Sequence, residues 1–575
     1  MLRRLLPLLI FTLSLHAQSR YVADFAGAPV KWEGWGTRAL ERSKKENRPI
    51  FLSIGYASSF ECFHMQRTAF LDGEVAQTLN TYFVPVLLDR FEYPEVAASY
   101  DTIARTAGGV SGTPILMVLT PALEPFAISG PLVTGDLSRM LVINANRWAH
   151  ERDAVSAEAH QNVMKARANV SAPQEFRAAD LHKLALSALH DQLGGGWHRA
   201  PRDEKWQQPY FEKMTADQAL YAIRFLEEWQ TTKDPEVERL ARETLDAALR
   251  DLRPQNGAFD ASQDAHSLVP AQGPEFWNGA FYAWTKEEVT HLLGQDGALK
   301  VFRAYGMKEG ARNILYVEDA TSLKDPAIAP LLAKLLDVRQ KRPQPFRESN
   351  LVSGINGLMI SALARVGAAL GEPRYVDAAG FAAQAVTKKL WNAQKKTLLH
   401  SAGVEATCDD DALLAQGLLD LFEASYDPKW LDLAVALQQR EDACTAGAGV
   451  PQILGGLLPP RDLHATAMNL ARLSTLTGNE AFRTRLAKDF PETAAQAARD
   501  AKIVAVTGDR YRQPTLDALK AIHARREPFR VVVYVPVKGP ARERMLRALP
   551  FTAALGVDPQ NPITYECSGG ECRRR

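Results

Sequence analysis

The sequence has almost no net charge, few cysteines and, beyond its first residues, no long apolar run, and each shortage excludes something. Its 68 Lys and Arg against 67 Asp and Glu leave a formal charge of +1, so no whole-protein field gathers a polyanion and nucleic-acid binding is excluded as the main task. Five cysteines in 575 residues are too few for a disulfide-built scaffold, and a chain of this length buries more than one core without such staples. No segment after the N-terminus reads as long and apolar enough to span a membrane of about 20 residues. What remains is a folded chain of several domains, 46% hydrophobic and 23% charged, neither disordered nor collagen-like.

The first residues carry an export pattern: Arg3 and Arg4, an apolar run over 5–15, and a small residue at Ala17. The expectation is a signal peptide over 1–17, cleaved near Ala17, and a periplasmic or secreted protein with no membrane insertion after cleavage. In such a compartment a close cysteine pair tends to be a disulfide.

From 20 to 150 the hydrophobic pattern alternates between period 2 and period 3.6, the mark of an α/β domain. Segments 48–56, 82–89, 114–120 and 125–129 read as strands, and 37–47 and 95–106 as helices. Strand, helix, strand, helix and then a hairpin is the thioredoxin order. From 173 to 501 the pattern is almost wholly helical, with eleven or twelve segments from 180–193 through 480–501. Tight links at 371–373 and 427–428 join some consecutive pairs, and longer joins rich in Gly, Pro and aromatics separate others. Six such hairpins closing on themselves make an (α/α)6 barrel, and an open solenoid is the alternative, although no sharp repeat supports it. The fold class expected is thus multidomain, α/β followed by all-α, with a small α/β appendage over 502–575.

Thioredoxin-type redox sites place C-x-x-C after the first buried strand, at a helix start that lowers the thiol pKa. Here the four residues are Ser59-Phe60-Glu61-Cys62. Serine cannot form a disulfide, so dithiol exchange within the motif is chemically excluded, and a lone Cys62 is either a buried side chain or a thiol that meets a partner. Thr113-Pro114 stands where thioredoxin folds carry a cis-proline; an ordinary trans proline opening a strand is the other reading.

These residues, with Trp32, Trp35-Gly36, the run 46–56, Met65, Phe70, Asp89-Arg90, Gly108-Gly109 and Leu119-Thr120-Pro121, resemble the thioredoxin-like domain of the spermatogenesis-associated, thioredoxin-domain-containing family. The family usually shows C-H-W-C-H where this chain has 59–63. The similarity continues through 191–199, 209–214 and 257–265, the run 281–285, and Asn313-Ile314-Leu315 and 356–359. The resemblance implies a glycosidase-like barrel of six hairpins, related in architecture to sugar epimerases and hydrolases. Where the family has R-D-D-K and W-N-G, this chain has Arg347-Glu348-Ser349-Asn350 and Ile355-Asn356-Gly357, the pattern of a divergent member. Cys567 and Cys572 resemble the cysteine pair that closes many members, read here as a local disulfide. Zinc would need two further ligands that the sequence does not place nearby. Cys408 and Cys444 lie in or beside helical segments and read as unpaired or buried.

On this reading the chemistry, if any, lies in the helical half. Glu212, Asp264, His198 and His266 are the candidate catalytic groups, since paired carboxylates across a cleft serve glycoside hydrolysis and histidines move protons. Trp197, Arg199, Tyr210, Lys213, Asp217, Asp260, Trp284 and Asn356 are candidate substrate contacts, offering flat faces and hydrogen bonds to sugar hydroxyls. Thr215 and Gln218 fit a capping box that starts a helix at about 216 and leaves Glu212 in the loop before it. Ser59, Cys62 and Pro114 are the redox remnant. No metal or cofactor is expected. The partners expected are a carbohydrate or other small-molecule ligand, and a protein at the thioredoxin-like domain. Three functions stay open: a sugar-active hydrolase or epimerase, a non-catalytic binding or scaffold protein, and a thiol-redox protein using Cys62 alone.

Overall fold

The run Ile50–Gly55 is apolar on both faces, and it becomes the middle of a five-stranded sheet. In the computed structural model, which describes residues 19–170, 181–269 and 275–491 apart from 426, 446, 448–449, 456, 458–462 and 478, with the backbone of 504–507, 532–533, 563–568 and 571–574, the strands are β1 (Glu33–Gly34), β2 (Ile50–Gly55), β3 (Val84–Asp89), β4 (Ile115–Leu119) and β5 (Pro125–Ser129). Their order is β1-β3-β2-β4-β5, with β3 parallel to β1 and β2 and the β4–β5 hairpin antiparallel. This is the thioredoxin-like arrangement expected. The expected signal peptide lies outside the described residues.

Alternation along β2 feeds two cores. Phe51 packs on one face of the sheet, and Ile50, Leu52 and Ile54 on the other. All four are 0% exposed, each worth about 1.5–3 kcal/mol of apolar burial. Helices α1 (Arg20–Ala23), α2 (Thr37–Glu46), α3 (Phe60–Arg67), α4 (Gly73–Tyr82), α5 (Pro94–Gly108), α6 (Thr134–His150) and α7 (Arg152–Arg167) cover both faces. The last turns around the sheet edge: Val155 and Ala159 join one core, Val163 and Ala166 the other.

In the helical half the first expected helix, 180–193, ends early, at α8 (Leu181–Leu186). Beyond it the backbone is drawn into pairing with later residues: Ala188 N–H donates to Trp206 O, Asp191 N–H to Gly196 O, and His198 N–H to Leu189 O. The hairpins follow: α9 (Thr215–Thr232) with α10 (Pro235–Asp251), α11 (Lys286–Ala304) with α12 (Ile328–Gln340), α13 (Ser353–Leu370) with α14 (Pro373–Leu390), α15 (Cys408–Ser425) with α16 (Pro428–Asp442) and, after the single turn α17 (Gln452–Gly455), α18 (His464–Thr477) with α19 (Glu480–Asp489). Helix α11 breaks at Gly294, where φ is 72° and ψ 167°.

Inner helices α9, α13, α15 and α18 stand side by side in that order, each backed by the outer helix that follows it. This is the hairpin layering of the (α/α)6 class. One large core runs through them, from Trp229 to Phe482, while α11 and α12 close on a separate core around Trp284, Val289 and Leu335. Helices α13 and α15 meet backbone to backbone, for a Cβ on Gly417 would lie 2.3 Å from the carbonyl oxygen of Gly357.

Two expectations are corrected here. Helix α13 is long and apolar enough to cross a membrane by length and composition, which the reading above excluded for any segment after the N-terminus. It is a core helix, packed between α9, α14 and α15. Cys408 and Cys444, read as unpaired or buried, form a disulfide that ties the start of α15 to the segment after α16. Residues 504–507, 532–533, 563–568 and 571–574 form one four-stranded sheet that sets Cys567 opposite Cys572. The side chains of Cys567 and Cys572, and with them the expected bridge, lie outside the described residues.

Candidate functional site

Short extended pieces gather the polar loops of the helical half. A hairpin of β6 (Ala200–Pro201) and β7 (Pro209–Tyr210) leads into β8 (Lys213–Met214), which pairs with β9 (Ser262–Gln263), which in turn pairs with β12 (Arg347–Glu348). Between β9 and β12, β10 (His266–Leu268) pairs with β11 (Phe276–Asn278). The joins at 191–214, 260–278 and 343–353 therefore meet at one end of the helices.

The loop after β2 of the first domain is seated on that end. Ala265 N–H donates to Ser58 O at 3.0 Å, the Ser58 and Ser262 hydroxyls lie 2.7 Å apart, and the Tyr56 hydroxyl donates to Glu212 at 3.2 Å. The Phe63 ring stacks on His266 at 3.9 Å. Tyr56, Ser58, Ser59, Glu212, Ser262, Asp264 and His266 are all buried by this contact and the packing around it.

Inside the loop, Ser59 caps α3 and its hydroxyl accepts from Cys62 N–H at 3.4 Å. Cys62 is 3% exposed, and a Cβ on Gly55 would lie 2.6 Å from its sulfur. Burial pushes the Cys62 thiol up to about 12. A reactive thiol needs the opposite environment. The Thr113–Pro114 bond is cis.

Glu212 and Asp217 flank Arg199. The Arg199 Nε lies 3.7 Å from Glu212, and its guanidinium sits 4.4 Å from the centre of the Tyr210 ring. Burial raises the Glu212 carboxyl, opposed by the Arg199 charge. Its Oε2 has no hydrogen-bond partner among the described residues. Asp217 is raised to about 7 by burial, again opposed by Arg199 and reinforced by the neighbouring Glu212. Asp217, Arg199, Tyr210 and Tyr221 are each partly exposed, so this side of the seam reaches solvent. The capping box is not formed: Thr215 donates to the Asp260 carbonyl and Gln218 holds both backbone groups of Trp197.

Asp264 and His266 are neighbours, with Nε2 to carboxylate 3.6 Å, but Asp264 is held from its other side by both guanidinium nitrogens of Arg20, at 2.7 and 2.6 Å. Burial raises Asp264 to about 6 against the pull of Arg20, and burial, with the charges of Arg20 and Arg67, lowers His266 to about 3. Here the candidate acid is already spent on an ion pair.

Other candidates serve as structure. His198 is 1% exposed, bonded to Phe211 O through Nδ1 at 3.1 Å and edge-on to Tyr282, and burial lowers it to about 3. Trp197 donates to Thr244 and stacks on Phe225. Lys213 is bonded to Asp191, which Arg339 grips at 2.6 and 2.8 Å. Trp284 is 0% exposed beneath Arg342, Asn356 bonds both backbone groups of Phe259, and Asp260 is paired with Arg347 at 3.1 Å. Arg20, Tyr56 and Asp89 were not read from the sequence as members of this region. Glu348 was visible only as the acid kept within Arg347-Glu348. Among the described residues no cluster of three His, Cys, Asp or Glu is arranged to hold a metal ion.

Residues 13–167 match a family model described as Thioredox_DsbH, protein of unknown function, DUF255. Spermatogenesis-associated protein 20 of Homo sapiens is 25% identical over 710 aligned positions, covering 97% of this chain and 90% of that protein. Among solved structures, a D-mannose isomerase aligns with TM-score 0.33 and 10% identity over 56% of this chain and 73% of that one. The cellobiose 2-epimerase of Bacillus thermoamylovorans B4167 aligns with TM-score 0.32 and 8% identity over 62% and 73%. The resemblance to the spermatogenesis-associated, thioredoxin-domain-containing proteins holds over nearly the whole chain.

Proposed function

We propose that the chain is an exported protein that binds a carbohydrate-like ligand at the loop end of its helical half and acts on it by proton transfer from Glu212 or Asp217. The thioredoxin-like domain, on this reading, is a cover for that site and not a redox unit. One observation carries the proposal: two carboxyls raised by burial, Glu212 beneath the seam and Asp217 on its partly exposed side, flank Arg199, whose guanidinium lies on the Tyr210 ring. A carboxylic acid that keeps its proton toward neutral pH can protonate a leaving oxygen, and its ionised partner can serve as base. An aromatic face beside a guanidinium suits a hydroxylated ring, whose C–H face is apolar and whose edge is polar.

Loss of dithiol chemistry is supported by Ser59 in the first motif position and by the buried, raised thiol of Cys62. Export is supported by the N-terminal pattern and by the Cys408–Cys444 disulfide, a bond that persists in oxidising compartments. A second reading, a non-catalytic scaffold, is favoured by the sealing of Asp264, His198 and His266 away from solvent.

The test is a glycan array followed by thermal shift on the chain beginning at residue 18, with Glu212→Gln and Asp217→Asn alongside. A glycan that raises the unfolding temperature, with the rise lost in both variants while each stays folded, is the expected result. Binding that survives both substitutions without turnover would transfer the assignment to the scaffold. The absence of any stabilising glycan would remove the carbohydrate reading.

A further inference from the structure

One buried histidine joins the two halves of the molecule, and the proposed ligand site does not use it. His400 lies on the strand Thr397–Ser401 of the helical half and is 5% exposed. Its Nδ1 stands 2.8 Å from Oδ2 of Asp410, and its Nε2 faces the carbonyl oxygen of Phe91, in the loop that follows β3 of the first domain.

Both of these partners accept. Asp410, in the first turn of α15, already takes hydrogen bonds from the backbone N–H groups of Gly354 and Thr407 and from the hydroxyls of Ser353 and Thr407. Against its burial, His400 and the Thr407 donors lower it to about 2, so it is an ionised carboxylate. A backbone carbonyl has no proton to give, and a neutral imidazole offers one N–H. The arrangement therefore needs a ring with both nitrogens protonated. Burial opposes that charge, but Asp410, the Phe91 carbonyl and Glu92 outweigh it and raise the ring above its ordinary 6.5. The charged groups that bear on the ring are Asp410 on α15 and, around the end of β3, Asp89 and Glu92.

As pH rises, the proton leaves from Nε2, because Nδ1–H stays with the Asp410 carboxylate. A nitrogen lone pair then faces the lone pairs of the Phe91 carbonyl, and an attraction across the seam becomes a repulsion. Phe91 also touches the candidate site: its ring is edge-on to Tyr56 at 5.6 Å, and the Tyr56 hydroxyl donates to Glu212 at 3.2 Å. We propose that His400 is a pH-sensitive latch of the domain seam, closed as the imidazolium and open as the neutral ring, which positions Glu212 through Phe91 and Tyr56. The coupling to Glu212 rests on the reading of that residue as a candidate acid, whereas the latch is tested without a ligand.

The sign follows from linkage. A histidine raised by its folded-state partners contributes stability that is fully present below its unfolded value of about 6.5 and is lost as pH rises through the folded value. The reporter is the Ala265 amide, which donates across the seam to Ser58 O. Its hydrogen–deuterium exchange, corrected for the intrinsic rate at each pH, should lose about tenfold or more of its protection between pH 6 and pH 9, the scale of one hydrogen bond to a charged group. In His400→Gln the protection should be low at pH 6 and unchanged at pH 9. Where that variant does not fold, Glu92→Gln serves, since removal of an acid that bears on the ring should shift the loss to lower pH. Nitrogen-15 spectra of the ring, identified by the signal that either substitution removes or displaces, should give a titration midpoint above 6.5. A midpoint at or below 6.5, or a loss of protection that is absent or that neither substitution alters, overturns the latch. A glycan bound at the candidate site should bind about tenfold more weakly to His400→Gln at pH 6, by the same hydrogen bond; equal binding overturns the coupling to Glu212 and leaves the latch standing. If no glycan binds, the ligand reading fails alone, and the exchange result still decides the latch.

Discussion

If the thioredoxin-like loop has become a structural contact, Cys62 should behave as a core atom toward thiol reagents. The perturbation is a maleimide added at pH 7.5 to the oxidised protein carrying Cys567→Ser and Cys572→Ser, which leaves Cys62 as the free thiol beside the Cys408–Cys444 disulfide. The structure raises the thiol from 9.0 to about 12. Three units lower the thiolate fraction about a thousandfold, and the thiolate is the species that reacts. Burial at 3% exposure adds the free energy of opening the first domain's core around it before the reagent arrives. Labelling of the native protein should therefore be at least about a thousandfold slower than in urea, followed by mass shift over hours. Native labelling within an order of magnitude of the unfolded rate would refute the reasoning and restore the single-thiol redox hypothesis.

Two further outcomes follow from the described contacts. Asp264 and Asp411, both 0% exposed and raised to about 6 and about 7, bind protons in the folded state that the unfolded chain has already released, so each lowers stability as pH rises from about 4 to 8, whereas His198 and His266, lowered to about 3, are neutral where the unfolded chain is charged and raise stability as pH climbs toward 6.5. The contribution of Asp411 is isolated by comparing the protein with Asp411→Asn in urea unfolding: relative to the variant, the protein should be more stable at pH 5 than at pH 8 by a few kcal/mol, and a difference of the opposite sign would contradict the assignment. Removing the Cys408–Cys444 bridge by Cys444→Ser frees a loop closed across 36 residues, which loop entropy values at about 3–4 kcal/mol; a change below about 1 kcal/mol in denaturant unfolding would show that the unfolded chain is not restrained by it.

Legibility in the sequence tracked the range of the interactions. Strands buried on both faces give continuous apolar runs, so β2, β3 and β4 were readable from Ile50–Gly55, Val84–Asp89 and Ile115–Leu119. Helix α7 was not, because its buried stripe of Val155, Ala159, Val163 and Ala166 is small and divided between two cores. The Thr215–Gln218 pair matched a capping pattern, yet tertiary demand from Trp197 took the glutamine amide. Cys408 and Cys444 sit at the ends of a helical hairpin, where no spacing rule brings them together. The candidate acids were readable by type, but their fates were set by residues far away in the chain. Arg20 takes Asp264 across 244 positions and Tyr56 takes Glu212 across 156. No local pattern encodes such pairings.

Those long-range contacts also hold the loop after β2 in its shape. Ser59 still satisfies the start of α3, a role that a hydroxyl fills better than a thiol, since side-chain oxygens are the preferred acceptors at a helix N-cap. Ser58 and Tyr56 meet the helical half through Ser262, Ala265 and Glu212, and Phe63 lies flat on His266. A catalytic thioredoxin loop must expose its thiols to a partner protein. Here Ser58, Ser59 and Cys62 of the same turn are buried, and Ser58 and Phe63 face the loop end of the helical half. The first domain and the candidate acid site are in this sense one unit, for the tyrosine that donates to Glu212 stands directly after β2 of the first domain.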